Sequence, residues 1–160
     1  MNIFNNHDNN NNNKSHISDP ISILLVDDEI DILSVIRRQL QEYDFNICSF
    51  TKPIIALEHY KTSSYTHHIV ISDLQMPNMN GFEFIKKVKE IDSNVKVFLM
   101  TCFERNDLES LLTLSSINSS SSPTRLMIDE FIRKPFSIEK LIILINKHVN
   151  KRAKDPMTMT

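Results

Sequence analysis

The chain has 160 residues with 41% hydrophobic composition, enough to bury one core and too short for two domains of ordinary size. Eighteen Lys and Arg against 20 Asp and Glu leave a formal net charge of −2, which excludes the strong positive field of a dedicated nucleic-acid binder. The two cysteines, Cys48 and Cys102, match no metal-ligand spacing and cannot build a disulfide framework, so reduced thiols in a cytosol are expected.

Residues 1–19 are dominated by asparagine with scattered Ser, His and Asp, a composition that cannot bury enough apolar surface to offset its ordering entropy. A disordered tail is expected there, without the apolar stretch of a signal peptide. No later apolar run approaches membrane-spanning length. From Ile21 onward, short apolar runs alternate with longer amphipathic stretches, the pattern of βα units stacked on a parallel sheet. The runs at 22–26, 46–50, 69–72, 95–100 and 130–132 predict five strands. Continuous apolar character, as in Ile23-Leu24-Leu25-Val26, suits strands covered by helices on both faces. Leu33, Ile36, Leu40 and Tyr43 lie three or four apart and predict a helix face after the first strand. Pro53 stands where the next helix begins its first turn. Ile138, Leu141, Ile145 and Val149 predict a final helix with Ser137 as its N-cap.

Open α/β sheets bind ligands beyond the carboxyl ends of their strands. The first run is followed by Asp27-Asp28-Glu29, the third by Asp73, the fourth by Thr101 and the fifth by Lys134-Pro135. If the first and third strands are neighbours, Asp27, Asp28 and Asp73 converge, and close carboxylates repel unless a cation or a proton intervenes. Mg²⁺ suits such a site, with Mn²⁺ as a substitute, because it takes one or two carboxylates together with phosphate oxygens and retained waters. A carboxylate can itself attack phosphorus to give an aspartyl phosphate, with Mg²⁺, Thr101 and Lys134 neutralising the transferred oxygens. Each part also has a bland reading: Asp-Asp can cap a helix, a strand-end Thr can be structural, and Lys-Pro can be surface loop. Their occurrence at successive strand ends is what points to a joint site.

The segments ILLVDDE (23–29), ISDLQMPNMNGFEFIKKVK (71–89), FLMT (98–101) and FIRKPF (131–136) are similar to the receiver domains of two-component response regulators. The resemblance covers most of residues 21–150 and is to the single-domain, chemotaxis-regulator-like form. It implies a flavodoxin-like α/β fold, a doubly wound five-stranded parallel sheet in the order 2-1-3-4-5 with five helices. The implied domain occupies 20–150, between the tail at 1–19 and a short tail at 151–160. On this resemblance Asp73 is the phosphoacceptor, and Asp27, Asp28 and Asp73 hold Mg²⁺ together with the backbone carbonyl of Gln75. Thr101 then binds a phosphoryl oxygen, Lys134 pairs with the phosphate, and Phe131 is the aromatic switch that follows Thr101 inward. Pro77 and Gly81 shape the loop after Asp73. Gly81 is the only glycine in the chain, so a backbone conformation or a close approach that a side chain would obstruct is expected there. Pro135 follows Lys134, and the resemblance implies a cis peptide between them, an isomer that sequence alone leaves open.

The implied function is cytoplasmic phosphorelay signalling. A sensor histidine kinase or a phosphotransfer protein donates the phosphoryl group to Asp73, and altered protein contacts, with an unidentified downstream protein or a second copy, carry the signal. The chain catalyses only its own phosphorylation and dephosphorylation, and neither a membrane nor nucleic acid is an expected partner. Two competing readings are a non-phosphorylated, receiver-like interaction or dimerisation module, and a metal-dependent phosphatase. The phosphatase would need a second acid two residues beyond the nucleophile, where Gln75 stands.

Thr101 and Lys134 are 33 positions apart, about eleven more than the resemblance implies. The excess includes SSINSSSSPT at 115–124 and predicts a flexible insertion, about 115–125, beside the fourth helix. Ile143 and Leu144 broaden the stripe of the last helix, either as a partner surface or as area that the insertion covers. Cys102 is expected to be a buried small hydrophobe. The six histidines, His67-His68 among them, show no ligand spacing and receive no role. Lys147, Lys151, Arg152 and Lys154 suit the carboxyl end of a helix dipole.

Overall fold

A computed structural model describes residues 20–63, 67–104, 107, 110 and 127–152, with side chains as far as 149. The strands β1 (Ser22–Val26), β2 (Asn46–Phe50), β3 (Ile69–Asp73), β4 (Lys96–Thr101) and β5 (Glu130–Arg133) form one parallel sheet in the order β2-β1-β3-β4-β5. The described residues hold four helices, α1 (Ile30–Gln41), α2 (Pro53–Ser63), α3 (Gly81–Ile91) and α4 (Ile138–Arg152), where five are expected. The helix expected between β4 and β5 falls almost wholly outside the described residues, as do the insertion at 115–125, the segment 1–19 and residues 153–160.

Successive side chains of a strand point to opposite faces, and this alternation divides the core into two halves. Leu24 and Val26 join Val70, Val97 and Leu99 against α2 and α3, which contribute Leu57, Tyr60, Phe84 and Val88. Ile23 and Leu25 join Ile71, Phe98 and Ile132 against α1 and α4, which contribute Leu33, Ile36, Leu40, Leu141 and Ile145. All of β1 and β3 is therefore buried, which is why their sequences lack polar alternation. Each fully buried Leu or Ile stabilises by about 1.5–3 kcal/mol, so the two half-cores together fix the sheet.

Local signals explain where the helices begin and end. Asn80 and Glu83 form a capping box at α3: the Glu83 N–H donates to Asn80 Oδ1 at 3.0 Å, and the Asn80 N–H donates to Glu83 Oε2 at 3.3 Å. Ser137 accepts the Lys140 N–H at 3.3 Å, as expected of an N-cap. Tyr43 does not extend the buried face of α1. The helix ends at Gln41, Asp44 turns the chain with φ of 61°, and Phe45 enters the core while Tyr43 stays half exposed. No described helix is long and apolar enough to cross a membrane.

His67, just before β3, is buried at 5% exposure. Burial first, then the neighbouring His59 and His68, lower its pKa from 6.5 to about 4. Between those values the unfolded chain binds the proton that the folded chain refuses. The stability that this neutral imidazole permits is present above pH 6.5 and is lost as pH falls towards 4. Lowering pH from 7.5 to 5 should remove roughly 2 kcal/mol of stability through this group. Urea unfolding at the two pH values, on the unaltered chain and on His67→Gln, measures it. An equal pH response in the variant would show that other groups are responsible.

Candidate functional site

The parallel register sets the carboxyl ends of β1, β3, β4 and β5 along one rim. Val26 pairs with Ser72, Asp73 with Met100 and Thr101 with Arg133. Asp27, the residue after Val26, therefore lies beside Asp73. Both are buried, Asp27 completely. The Lys134 ammonium joins them, donating to Asp27 Oδ2 at 2.8 Å and standing 2.6 Å from Asp73 Oδ1. The other oxygens accept backbone N–H groups, Asp27 Oδ1 from Glu29 at 2.9 Å and Asp73 Oδ2 from Gln75 at 2.8 Å. Lys134 is delivered by the end of β5, where its own N–H donates to the Thr101 carbonyl at 2.8 Å and its peptide to Pro135 is cis.

One ammonium thus serves two buried carboxylates, and the proton affinities follow. Burial raises the Asp73 pKa above the ordinary carboxylate value, against the opposing pull of Lys134. Burial also works against the charge on Lys134, but its bonds to Asp27 and Asp73 outweigh it and raise the pKa of the lysine. Asp73 and Lys134 shift in the same direction because burial prevails at Asp73, which has only a share of one cation, whereas the lysine gains two anions. Lys134→Met should cost roughly 3 kcal/mol by leaving buried anions without their counter-charge. Adding Asp27→Asn should return part of that loss in urea unfolding. A Lys134→Met chain as stable as the original would mean that the bridge contributes nothing to folding.

Thr101 is 2% exposed, and its Oγ1 accepts the Phe103 N–H at 3.0 Å, which leaves its hydroxyl proton to donate elsewhere. Phe131 sits opposite Leu99 on β5 and packs, half-buried, against the half-core that contains Leu99. Thr101 is two residues beyond Leu99 and shares that face. Asp28 is exposed, on the rim of a cleft of about 470 Å³ shared with Thr51, Lys52, Pro77 and Asn78. Gln75 is exposed. Gly81 starts α3 with its N–H on the Leu74 carbonyl at 2.9 Å.

Three features were not legible beforehand. Cys102 is exposed, contrary to expectation, because β4 ends at Thr101 and the chain turns outward. It lines an open apolar cleft of about 560 Å³ with Ile32, Val35, Lys134 and Phe136, a juxtaposition of α1 with the β5–α4 loop that no local motif announces. Arg133 pairs with Glu104 across the same rim, 29 residues away in the chain.

The donor chemistry suits a hard divalent ion held by few protein ligands. Two buried carboxylates against one ammonium leave an excess of negative charge, and the available donors are all oxygens. Among the described residues no three His, Cys, Asp or Glu side chains form a ready metal cage, so any ion here would rely on backbone oxygen, water or a phosphoryl group for its remaining ligands.

Comparison with known proteins gives the same outline. The family model described as "Response regulator receiver domain" matches residues 23–146. The phosphoglycerate transport system transcriptional regulatory protein PgtA of Salmonella typhimurium is 26% identical over 136 residues, which are 85% of this chain and 30% of PgtA. The response regulator SaeR of Staphylococcus epidermidis is 26% identical over 82% of this chain and 52% of its own length. The chain thus spans about half or less of these relatives. A crystal structure of a response regulator receiver domain protein from Clostridium thermocellum superposes with a TM-score of 0.70 at 24% identity, covering 83% of this chain and 97% of that one.

Proposed function

Because the chain belongs to the response regulator receiver domain family of two-component signalling, we propose that Asp73 accepts a phosphoryl group from a histidine kinase or a phosphotransfer protein. The family consists of signalling receivers rather than conventional enzymes, which sets the phosphatase reading aside. The observation that carries the proposal is the Lys134 ammonium, 2.6 Å from Asp73 Oδ1 at a rim where two buried carboxylates share it.

An Asp73 oxygen attacks phosphorus, an O–P bond forms, and the bond from phosphorus to the donor nitrogen breaks with its electrons leaving on the donor imidazole. Lys134 follows the negative charge from the carboxylate to the phosphoryl oxygens. The Thr101 hydroxyl donates its proton to another of them. Asp27, Asp28, Asp73 and the Gln75 carbonyl would hold Mg²⁺, which would supply neutralisation of the charge on the transferred oxygens. Pro77, Gly81 and Pro135 hold the loops that carry these groups. Movement of Thr101 towards the phosphoryl group opens space on the face it shares with Phe131, whose ring turns inward and alters the surface around β5 and α4. Ile143, two-thirds exposed on α4, supplies apolar contact area for a protein partner on that surface. The cleft between α1 and the β5–α4 loop gives a donor protein an apolar landing beside Lys134. Such chemistry belongs in the cytoplasm, with the domain at 20–150 as the working unit.

Incubation with acetyl phosphate and Mg²⁺, followed by peptide mapping for one added phosphoryl group, tests the assignment. A label on any peptide that lacks Asp73 overturns it. The alternative, an interaction module that never carries phosphate, predicts no label under any donor.

A further inference from the structure

Three imidazoles gather at the amino end of the sheet, opposite the Asp73 rim. Ser22, the first residue of β1, is held from two sides. Its backbone N–H donates to His68 Nδ1 at 3.0 Å, and its hydroxyl lies 3.1 Å from His67 Nδ1. The far edge of the His67 ring meets His59, with Nε2 to Nε2 at 3.3 Å, and His59 Nε2 is also 3.4 Å from Cys48 Sγ. The His67 ring stacks on Tyr60 at a centroid distance of 5.9 Å. This chain of contacts ties β1, β2, α2 and the start of β3. At 3.0 to 3.4 Å each contact has the length of a hydrogen bond, in which one partner donates and the other accepts.

Counting protons shows what these contacts require. A backbone N–H can only donate, so His68 Nδ1 must present a lone pair to Ser22. At the edge between His59 and His67, one nitrogen carries hydrogen and the other must accept it. Two imidazolium rings would point N–H at N–H. All the contacts survive only while His68 is neutral and at least one of His59 and His67 is neutral. Among the described residues, the titratable groups that meet this cluster include His59 and Tyr60 from α2, Cys48 from β2, and His67 and His68 before β3, with Arg37 of α1 acting on Cys48 and Lys96 of β4 bonded through its N–H to the His68 carbonyl. No carboxylate is among the groups that set the proton affinity of His67 or Cys48.

We infer that His59, His67 and His68 form an acid-released clasp, which pins the start of β1 to β3 and α2 while the imidazoles are neutral and lets it go as they take up protons. The clasp acts at the first residue of β1, Ser22. It is separate from the chemistry proposed at Asp73.

Amide hydrogen exchange by NMR on the full chain tests it. The protection of the Ser22 amide, corrected for intrinsic exchange, should fall about tenfold or more between pH 7.5 and 5.5, and that of Leu99 in β4 should fall less. In the H67Q/H68Q variant, where a side-chain carbonyl can replace the imidazole acceptor without titrating, the Ser22 response should disappear. Should that variant not fold, the imidazole ¹⁵N shifts of the unaltered chain decide. A His68 Nδ1 that is unprotonated at pH 7.5, and takes its proton together with the loss of Ser22 protection, supports the clasp. A fully protonated trio with Ser22 protection intact overturns it, as does a pH response that persists in the variant.

Discussion

Asp73→Asn should take up no phosphoryl group from acetyl phosphate and Mg²⁺, with label falling about a hundredfold or more to background while the chain stays folded. An amide is a poor nucleophile and carries no negative charge to expel a leaving group. The loss should therefore be of chemistry and not of structure. Folding survives for a reason visible in the geometry: Lys134 keeps Asp27 as a partner at 2.8 Å, so the variant exchanges two anions per cation for a balanced pair. Because burial already makes the Asp73 charge costly, its removal should leave stability unchanged or slightly higher. Urea unfolding alongside the labelling separates the two effects. Persistent label in a folded Asp73→Asn chain would move the phosphoacceptor elsewhere.

Gly81→Ala should destabilise by about 3 kcal/mol or more, or prevent folding altogether. A Cβ on Gly81 would stand 2.4 Å from the Asp73 carbonyl oxygen, 2.9 Å from Leu74 Cα and 2.8 Å from Leu99 Cδ1. Two of those three atoms are backbone, so no side-chain rotation relieves the clash. Either the start of α3 or the end of β3 must move. The better helix propensity of alanine, about 1 kcal/mol, cannot offset that. Moreover, the displaced segment carries Asp73 itself, so labelling should weaken along with stability. A variant with an unchanged urea midpoint would show that the two segments separate readily.

The only glycine of the chain was legible as a constrained position, and the structure decides between the two reasons offered. Its φ is not positive, so close approach is what matters. The strands were equally readable, because residues buried on both faces leave continuous apolar runs that local composition displays. Each observed strand falls within a residue of its predicted bounds at both ends. The rim followed from the strands, and the bridge from Lys134 to Asp27 and Asp73 is the contact on which the functional reading rests. Asp28 was read together with Asp27, and the two differ in burial, Asp27 being buried at the rim and Asp28 exposed beside it.

What stayed hidden depends on spacing that no periodicity encodes. Cys48, His59 and His67 are brought together by a strand, a helix and a loop, and their separations of 11 and 8 residues match no recognised ligand pattern. The outward turn of Cys102 required knowing where β4 stops. Tyr43 kept the helical period one step past the helix because the turn at Asp44 leaves no mark in hydrophobic spacing.

Lys134 and Asp27 are 107 positions apart, and in the sheet two other strands lie between those that carry them. Closing that loop is among the latest entropic steps available to the chain. A ribosome-bound intermediate that has formed β1 through β4 possesses its acidic residues but lacks their counter-ion. The charge balance of the rim is therefore completed only when β5 docks.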